Sequence, residues 1–423
     1  MQRRVRVILG FALLLTIVDP VQAATPETGA KCGKAGATAT LAGKRFTCVK
    51  SSTGLNWNKG VSVKSPCKLP AVDGRGDVSI GGWPRISARS KTTGTVNVTV
   101  VLVDFPDAPA KMTPQEAFAK IEGAADVFKE VSYGKLRYSF KPQLKWYRMS
   151  KDAKSYAPLN KSFMTHRKYI AEAIALADSD VDFSKTDNII ILANPDSTEI
   201  GNSGPAFAAV GAKNGITVDG NNIMNGATSS HDLNFWKSIW LNHEVTHALG
   251  LVDLYAFTVG NSSNRYDGHR FVGEFSYMGL SSYLSNSPSL LAFERWNLGW
   301  IDDSQIICSN AVAQAHTISA VEVTGGLKAA IIPLNRTKVL VIESRRAVGL
   351  DQKMVKGGAL VYLVDSSIQS GKGPIQVYPI DLKSDPRYLQ APRAVGEKVT
   401  VAGYTITVVK SDEMTDSIEI TKE

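Results

Sequence analysis

Between Trp240 and Tyr255 the chain reads WLNHEVTHALGLVDLY. His243, Glu244, His247, Gly250 and Asp253 make this HExxHxxGxxD. No other stretch constrains the fold as tightly, because its parts cooperate only on a helix that ends in a sharp turn. Histidines four residues apart lie on one face of such a helix. Two neutral imidazoles at that spacing can grip one metal ion, and Zn²⁺ is the usual occupant. Glu244 projects about 100° round the helix from His243, placing it to reach a water on the metal rather than the metal itself. Gly250 can take a positive φ and turn the chain back. That turn would bring in Asp253 as third ligand and leave a fourth position open for water. The apolar flanks put the helix in a core, unlike a pair of surface histidines. Trp236, Ile239 and Trp240 are expected to anchor it, with Asp232 or Asn234 as its cap.

The N-terminus sets the compartment. MQRRVR is a basic start, Val7 to Val18 a short apolar core, and Val21-Gln-Ala23 a small-residue cleavage signal. Residues 1–23 are therefore expected to be a secretory signal peptide cut after Ala23, giving a secreted protein without a membrane span. The formal charge is +9. Losing Arg3, Arg4, Arg6 and Asp19 leaves +7. No dense Lys/Arg run supports nucleic-acid binding. Four cysteines in an exported chain suggest two disulfides, expected as Cys32–Cys48 and Cys67–Cys308. The rival reading makes Cys67 a thiolate that ligates the metal and keeps an enzyme latent.

An α+β organisation is expected. Residues 24–66 read as a small stapled Cys/Gly-rich module or a pro-segment, and 67–95 as a Gly/Pro-rich linker. Residues 96–305 read as an α/β catalytic domain and 306–423 as a β-rich C-terminal domain. Buried strands are predicted over 97–105 and 187–192. One helix should start at Thr113-Pro-Gln-Glu116 and run to about Glu130. A second is expected over 162–177, with Phe163, Tyr169, Ile170, Ala173, Ile174 and Ala177 as its apolar stripe. Residues 194–232 suggest an irregular segment with an edge strand. Shorter strands are expected at 329–333, 339–343, 358–364 and 404–409.

With these residues in view, the chain resembles the secreted immune inhibitor A-like metallopeptidases, within the metzincin class. The resemblance rests on HExxHxxGxxDLY, Ser276-Tyr-Met-Gly279 and Glu294-Arg-Trp-Asn-Leu-Gly-Trp300. Val101-Leu-Val-Asp-Phe-Pro-Asp107, Ser132-Tyr-Gly-Lys-Leu136 and Gly358-Ala-Leu-Val-Tyr-Leu-Val-Asp365 extend it over roughly residues 84–410. It implies a metzincin-like catalytic domain, zinc on His243, His247 and Asp253, Glu244 as general base, and Met278 as a hydrophobic floor in a Met-turn. Glu274, Glu294 and His269 are the rival third ligands.

The function expected is that of a secreted zinc endopeptidase, a monomer acting on protein or peptide through a zinc-activated water. The oxyanion needs a donor beside the metal. Tyr283 is the first candidate, with Tyr255 and Tyr277 behind it, although each tyrosine is by its type more often a packing residue. His231 in Ser-Ser-His-Asp could line the cleft. Structural Ca²⁺ suits a secreted peptidase, and Asp104, Asp107 and the stretch Asp219 to Asn222 offer oxygens, but no ligand pattern assigns a site. The alternatives are a catalytically silent surface binding protein on a peptidase scaffold and a zinc-dependent cell-wall amide hydrolase.

Overall fold

A computed structural model describes residues 26–41, 44–62, 65–71, 82–157, 162–201, 204–229, 231, 233–260, 263–280, 287–308 and 314–423. The expected signal peptide, Asp232 and Tyr283 lie outside the described residues. The chain divides into two compact units, Met1–Lys64 and Ser65–Glu423. Among the described residues, no helix is long and apolar enough to cross a membrane.

In the first unit, strands β1 (Thr38–Leu41), β2 (Lys44–Ser51), β3 (Gly54–Trp57) and β4 (Val61–Ser62) form one small sheet. The central β2 pairs antiparallel with the other three. Phe46 and Cys48 point inward at the period of two that a strand imposes. Cys48 closes the unit through a disulfide to Cys32, as expected.

The second unit starts from β5 (Gly94–Asp104), whose β-branched run is buried on both faces. Val96, Val98, Val100 and Leu102 enter one core. Val101, Val103 and the following Phe105 enter another on the opposite side. Next come α1 (Pro114–Ala119), α2 (Ala124–Val131), β6 (Leu136–Arg148), α3 (Phe163–Ala177) and β7 (Asn188–Ala193). Four short strands follow: β8 (Ala206–Ala208), β9 (Ile216–Val218), β10 (Asn221–Ile223) and β11 (Asn225–Thr228). The main sheet runs β6-β5-β7-β11-β8. Its first four strands are parallel, and β8 is an antiparallel edge. Ala117 and Phe128 from α1 and α2 share the first core, while Tyr169, Ile170 and Ala173 from α3 share the second.

Thr113 forms the expected capping box with Glu116. The single helix predicted from it is instead two, because the chain leaves the helix at Lys120 and restarts after Gly123. In α3, Phe163 is not part of the buried stripe. It stands at the first turn with its ring partly exposed and stacked on Phe207.

The motif helix is α4 (Leu233–Leu249), broken at Lys237, where φ is 48°. The break turns Trp236 outward to 42% exposure, so of the three expected anchors only Ile239 and Trp240 are buried. A short helix, α5 (Ala292–Asn297), leads into the C-terminal strands. These are β12 (Ile306–Cys308), β13 (Gln314–Ser319), β14 (Ala329–Pro333), β15 (Lys338–Arg345), β16 (Gly358–Asp365), β17 (Ile375–Tyr378), β18 (Lys398–Val401), β19 (Tyr404–Ser411) and β20 (Thr415–Lys422). They form two sheets, β12-β14-β15-β16-β17 and β13-β20-β19-β18. Along β15, Leu340 and Ile342 face the core between these sheets, whereas Val339 and Val341 face the core that also holds Val245 and Leu249 of α4.

Two expected boundaries therefore need correction. Position 305/306 does not separate compact units, because the strands after it share a core with the motif helix. A buried ionic cluster strengthens the join. Arg345 donates to Glu322 at 2.7 Å, Glu343 at 2.9 Å and Asp351 at 2.8 Å. Glu343 in turn accepts from the Ala292 N–H at the start of α5. The described residues of this span, 67–71 and 82–95, are not a free linker. Cys67 and Leu69 are fully buried, Cys67 is bonded to Cys308, and the Trp300 indole donates to the Thr92 carbonyl. Among the described residues of this span, Gly82 and Pro84 mark irregular backbone, not independence. With its sulfur in the disulfide, Cys67 is no thiolate for the metal.

Candidate metal centre

Helix α4 ends at Gly250 with φ 112°. The Gly250 N–H donates to the His247 carbonyl at 2.9 Å, and the Leu251 N–H reaches back to Thr246 at 3.1 Å. These are the two bonds of a Schellman turn, in which glycine avoids the left-handed penalty on a Cβ. Residues 85–90 close the remaining carbonyls of the helix end. Arg85 donates to Leu249 at 2.5 Å, and the Ser90 N–H donates to Ala248 at 3.0 Å.

The turn reverses the chain, and Asp253 comes back beside both histidines. Asp253 Oδ1 lies 3.1 Å from His243 Nε2 and 3.3 Å from His247 Nε2. Each ring is fixed through its other nitrogen. His243 Nδ1 lies 2.8 Å from the Tyr277 carbonyl and His247 Nδ1 2.9 Å from that of Leu251. A carbonyl only accepts, so Nδ1 carries the proton and Nε2 is left as the ligand atom. The three donor atoms lie within 4.8 Å of one another, the only such group among the described residues.

This donor set fits Zn²⁺. Tetrahedral zinc with bonds of about 2.0–2.1 Å separates its ligand atoms by about 3.3 Å. Both carboxylate–imidazole distances match that edge. Without a metal, the charges of these side chains stabilise one another. Burial opposes a charge on either partner, yet Asp253 and then Glu244 raise His247 to about 9. His247 and His243 hold Asp253 well below the usual carboxylate range against the same burial.

Among known proteins, the chain matches no family model and no curated sequence.

Glu244 is half-buried one residue beyond His243, and its charge acts on both His247 and Tyr255. Among the described tyrosines, Tyr255 stands at this site, its ring centre 6.1 Å from that of His243. Burial first, then Asp253 and Glu244, keep its hydroxyl protonated and hence a donor. Tyr277 is fully buried with its hydroxyl 3.1 Å from Thr246 Oγ1, so its carbonyl serves the site and its ring packs.

Met278 is fully buried, and its carbonyl accepts from the Leu254 N–H at 2.8 Å. Its turn carries Ser276 at φ 90° and is held from below. Met278 N–H donates to Ser276 Oγ at 3.1 Å, and Ser276 Oγ donates to Glu294 Oε1 at 3.2 Å. Burial pushes Glu294 up to about 7. Glu294 is thus a support beneath the turn. Among the other rivals for third ligand, Glu274 pairs with Arg387, and His269 Nδ1 lies 3.1 Å from the Gly279 carbonyl. His231 Nδ1 lies 2.7 Å from the Pro195 carbonyl. Of the oxygens considered for Ca²⁺, the carboxylates have protein partners: Asp104 pairs with Arg148, Asp107 accepts from Ala153, and Asp219 accepts from Phe183, while Asn222 Oδ1 is buried without a hydrogen bond.

A cleft of about 400 Å³ opens on the His247 side. Phe163, Val210, Leu251 and Val252 give it apolar walls, the edge strand β8 supplies Ala206 and Ala208, and Arg89 and Ser370 are polar members. Arg89 Nη1 donates to the Ala208 carbonyl at 3.2 Å. Sequence reasoning missed Arg85, Arg89 and Ser370. None has a motif of its own, since each acts through a contact distant in sequence.

Proposed function

We propose that the chain is a secreted zinc endopeptidase of the metzincin type, similar to the immune inhibitor A-like enzymes. One observation carries this reading: a single Asp253 oxygen meets both histidine Nε2 atoms at tetrahedral-edge distances. His243, His247 and Asp253 would hold the ion. Bound there, Zn²⁺ supplies Lewis acidity, polarising a carbonyl and acidifying water at neutral pH. Glu244 takes the proton from the attacking water and hands it to the departing amine. Tyr255 donates its hydroxyl to the developing oxyanion. Strand β8 lies along the cleft as a sheet edge, a fit for an extended peptide that adds as one more strand. Two disulfides accord with an oxidising, extracellular setting.

Glu244→Gln tests the proposal. The variant should retain stoichiometric zinc by metal analysis and lose about 10²–10⁴-fold in casein cleavage, the range for a general base. Full activity in the variant sinks the assignment. Zinc binding without cleavage of any peptide by the natural chain favours a binding protein, and cleavage of peptidoglycan but not casein favours a cell-wall amide hydrolase.

A further inference from the structure

The third ligand is held from the far end of the chain. Between β16 and β17, residues 366–374 form a loop that reaches the Asp253 segment. Gly371 N–H donates to the Asp253 carbonyl at 3.1 Å, and Phe257 N–H donates to the Gly371 carbonyl at 3.1 Å. Gly371 has φ 68°, and a Cβ there would sit 2.3 Å from a carbon of the Phe257 ring. The loop is tied to its own sheet, since Ser366 N–H donates to Thr337 and Asp365 N–H to Pro374, both at 2.8 Å.

Ser370, 8% exposed, stands at the contact point. Its Oγ accepts from the Asp253 N–H at 3.0 Å and donates to Asp253 Oδ2 at 3.4 Å. A hydroxyl has one proton and two lone pairs, so both bonds form at once. Together they fix the Asp253 side chain relative to its own backbone. Oδ2 is turned to Ser370 and Oδ1 to the two imidazoles.

We infer that Ser370 is a positioning residue for the metal centre: it orients Asp253 as a one-oxygen ligand, so the C-terminal sheet sets the metal affinity of the motif helix. This rests on the reading of Asp253 as a zinc ligand. Residues that orient a ligand typically change metal affinity by about 10–100-fold when removed. A serine that merely packed would leave affinity and coordination geometry unmoved.

The test uses the full chain with Ser370→Ala, Ser370→Thr, Asp253→Ala and the double variant Asp253→Ala/Ser370→Ala. Zinc affinity is read by competition with a chromophoric chelator, and coordination by the visible spectrum of the Co²⁺-loaded protein. Ser370→Ala should bind zinc about 10-fold or more weaker, the lower end for such partners. Its Co²⁺ spectrum should shift, and the metal-free protein should still unfold in one cooperative transition. Ser370→Thr keeps the hydroxyl and should restore both readouts. In the Asp253→Ala background, removing Ser370 should change nothing more, because no carboxylate remains to orient. Natural affinity and spectrum in Ser370→Ala overturn the inference, as does an equal further loss in the Asp253→Ala background. A natural chain that takes up no zinc overturns the underlying metal reading instead.

Discussion

The two compact units achieve stability by different means. Residues 26–64 hold seven basic residues against Glu27 alone, a net +6. Residues 1–25 account for +2 of the total +9, which leaves only +1 for residues 65–423. The basic residues look scattered along the chain, yet the division into units concentrates them. In the small unit no ion pair joins the described residues, and Phe46 and Cys48 are its main buried apolar groups. Its disulfide spans 16 residues. A chain this short cannot bury enough apolar surface to offset its entropy, so a covalent staple takes that part. The large unit has three apolar cores and a buried guanidinium shared by three acids. The large unit thus has a buried paired charge cluster, whereas no such cluster occurs among the described residues of the small unit.

Four measurements can break or sharpen that contrast. The largest effect is expected from Arg345→Met, which leaves Glu322, Glu343 and Asp351 in a dry interior without their shared cation. Breaking such a buried set costs about 3–5 kcal/mol. Denaturant unfolding should show the loss in the 65–423 unit and not in the small one. A shift below about 1 kcal/mol would mean that the cluster is not what joins β15 to α5.

Replacing Cys32 and Cys48 together by serine should remove about 3 kcal/mol, the loop-closure value for a ring of this size. Hydrogen exchange should then lose protection across residues 38–62 and keep it in β5 and β7. Retained protection in the small unit would show that its apolar contacts suffice alone.

Glu294 gives a smaller, pH-dependent effect. Its folded pKa of about 7 lies above the ordinary 4.5. The folded chain therefore binds an extra proton between those values. Its contribution to stability is present below 4.5, is lost as pH rises through 7, and is flat beyond. Glu294→Gln should remove that dependence in unfolding curves at pH values across the window. An unchanged pH profile would place the titration elsewhere.

Smallest of all should be the effect of deleting residues 26–64 on the metal centre. Zinc affinity should stay as it is, while retention on a cation exchanger falls with the lost +6. A drop in zinc affinity would tie the small unit to the site.

Much of this was legible in the sequence, for local reasons. The strand at 97–105, the capping box at Thr113 and the turn at Gly250 each depend on neighbours a few residues away. The even cysteine count suggested two disulfides, and pairing Cys32 with Cys48 to close a small N-terminal unit matches the structure. Misreadings fell where local signals were silent. Trp236 looked like an anchor because helical periodicity assumes an unbroken helix, and the turn at Lys237 rotates it out. Residues 67–95 looked like a linker because glycine and proline report backbone irregularity, not burial. The boundary at 305/306 looked natural because β-rich sequence begins there, but alternate residues of β15 serve two cores.

The sequence by itself determined the identity of the two histidines and the aspartate, the helical spacing of the histidines and the glycine that turns Asp253 back, because the 3.6-residue period and the left-handed turn are local properties. Only the tertiary structure decided which carbonyls fix the histidine rings, that Tyr255 rather than Tyr277 stands beside them, and that Ser370 bonds Asp253. Ser370 and Asp253 are separated by 117 residues. Whether they meet is set by a β-sheet docked on the motif helix's core, and no periodicity in the chain encodes that.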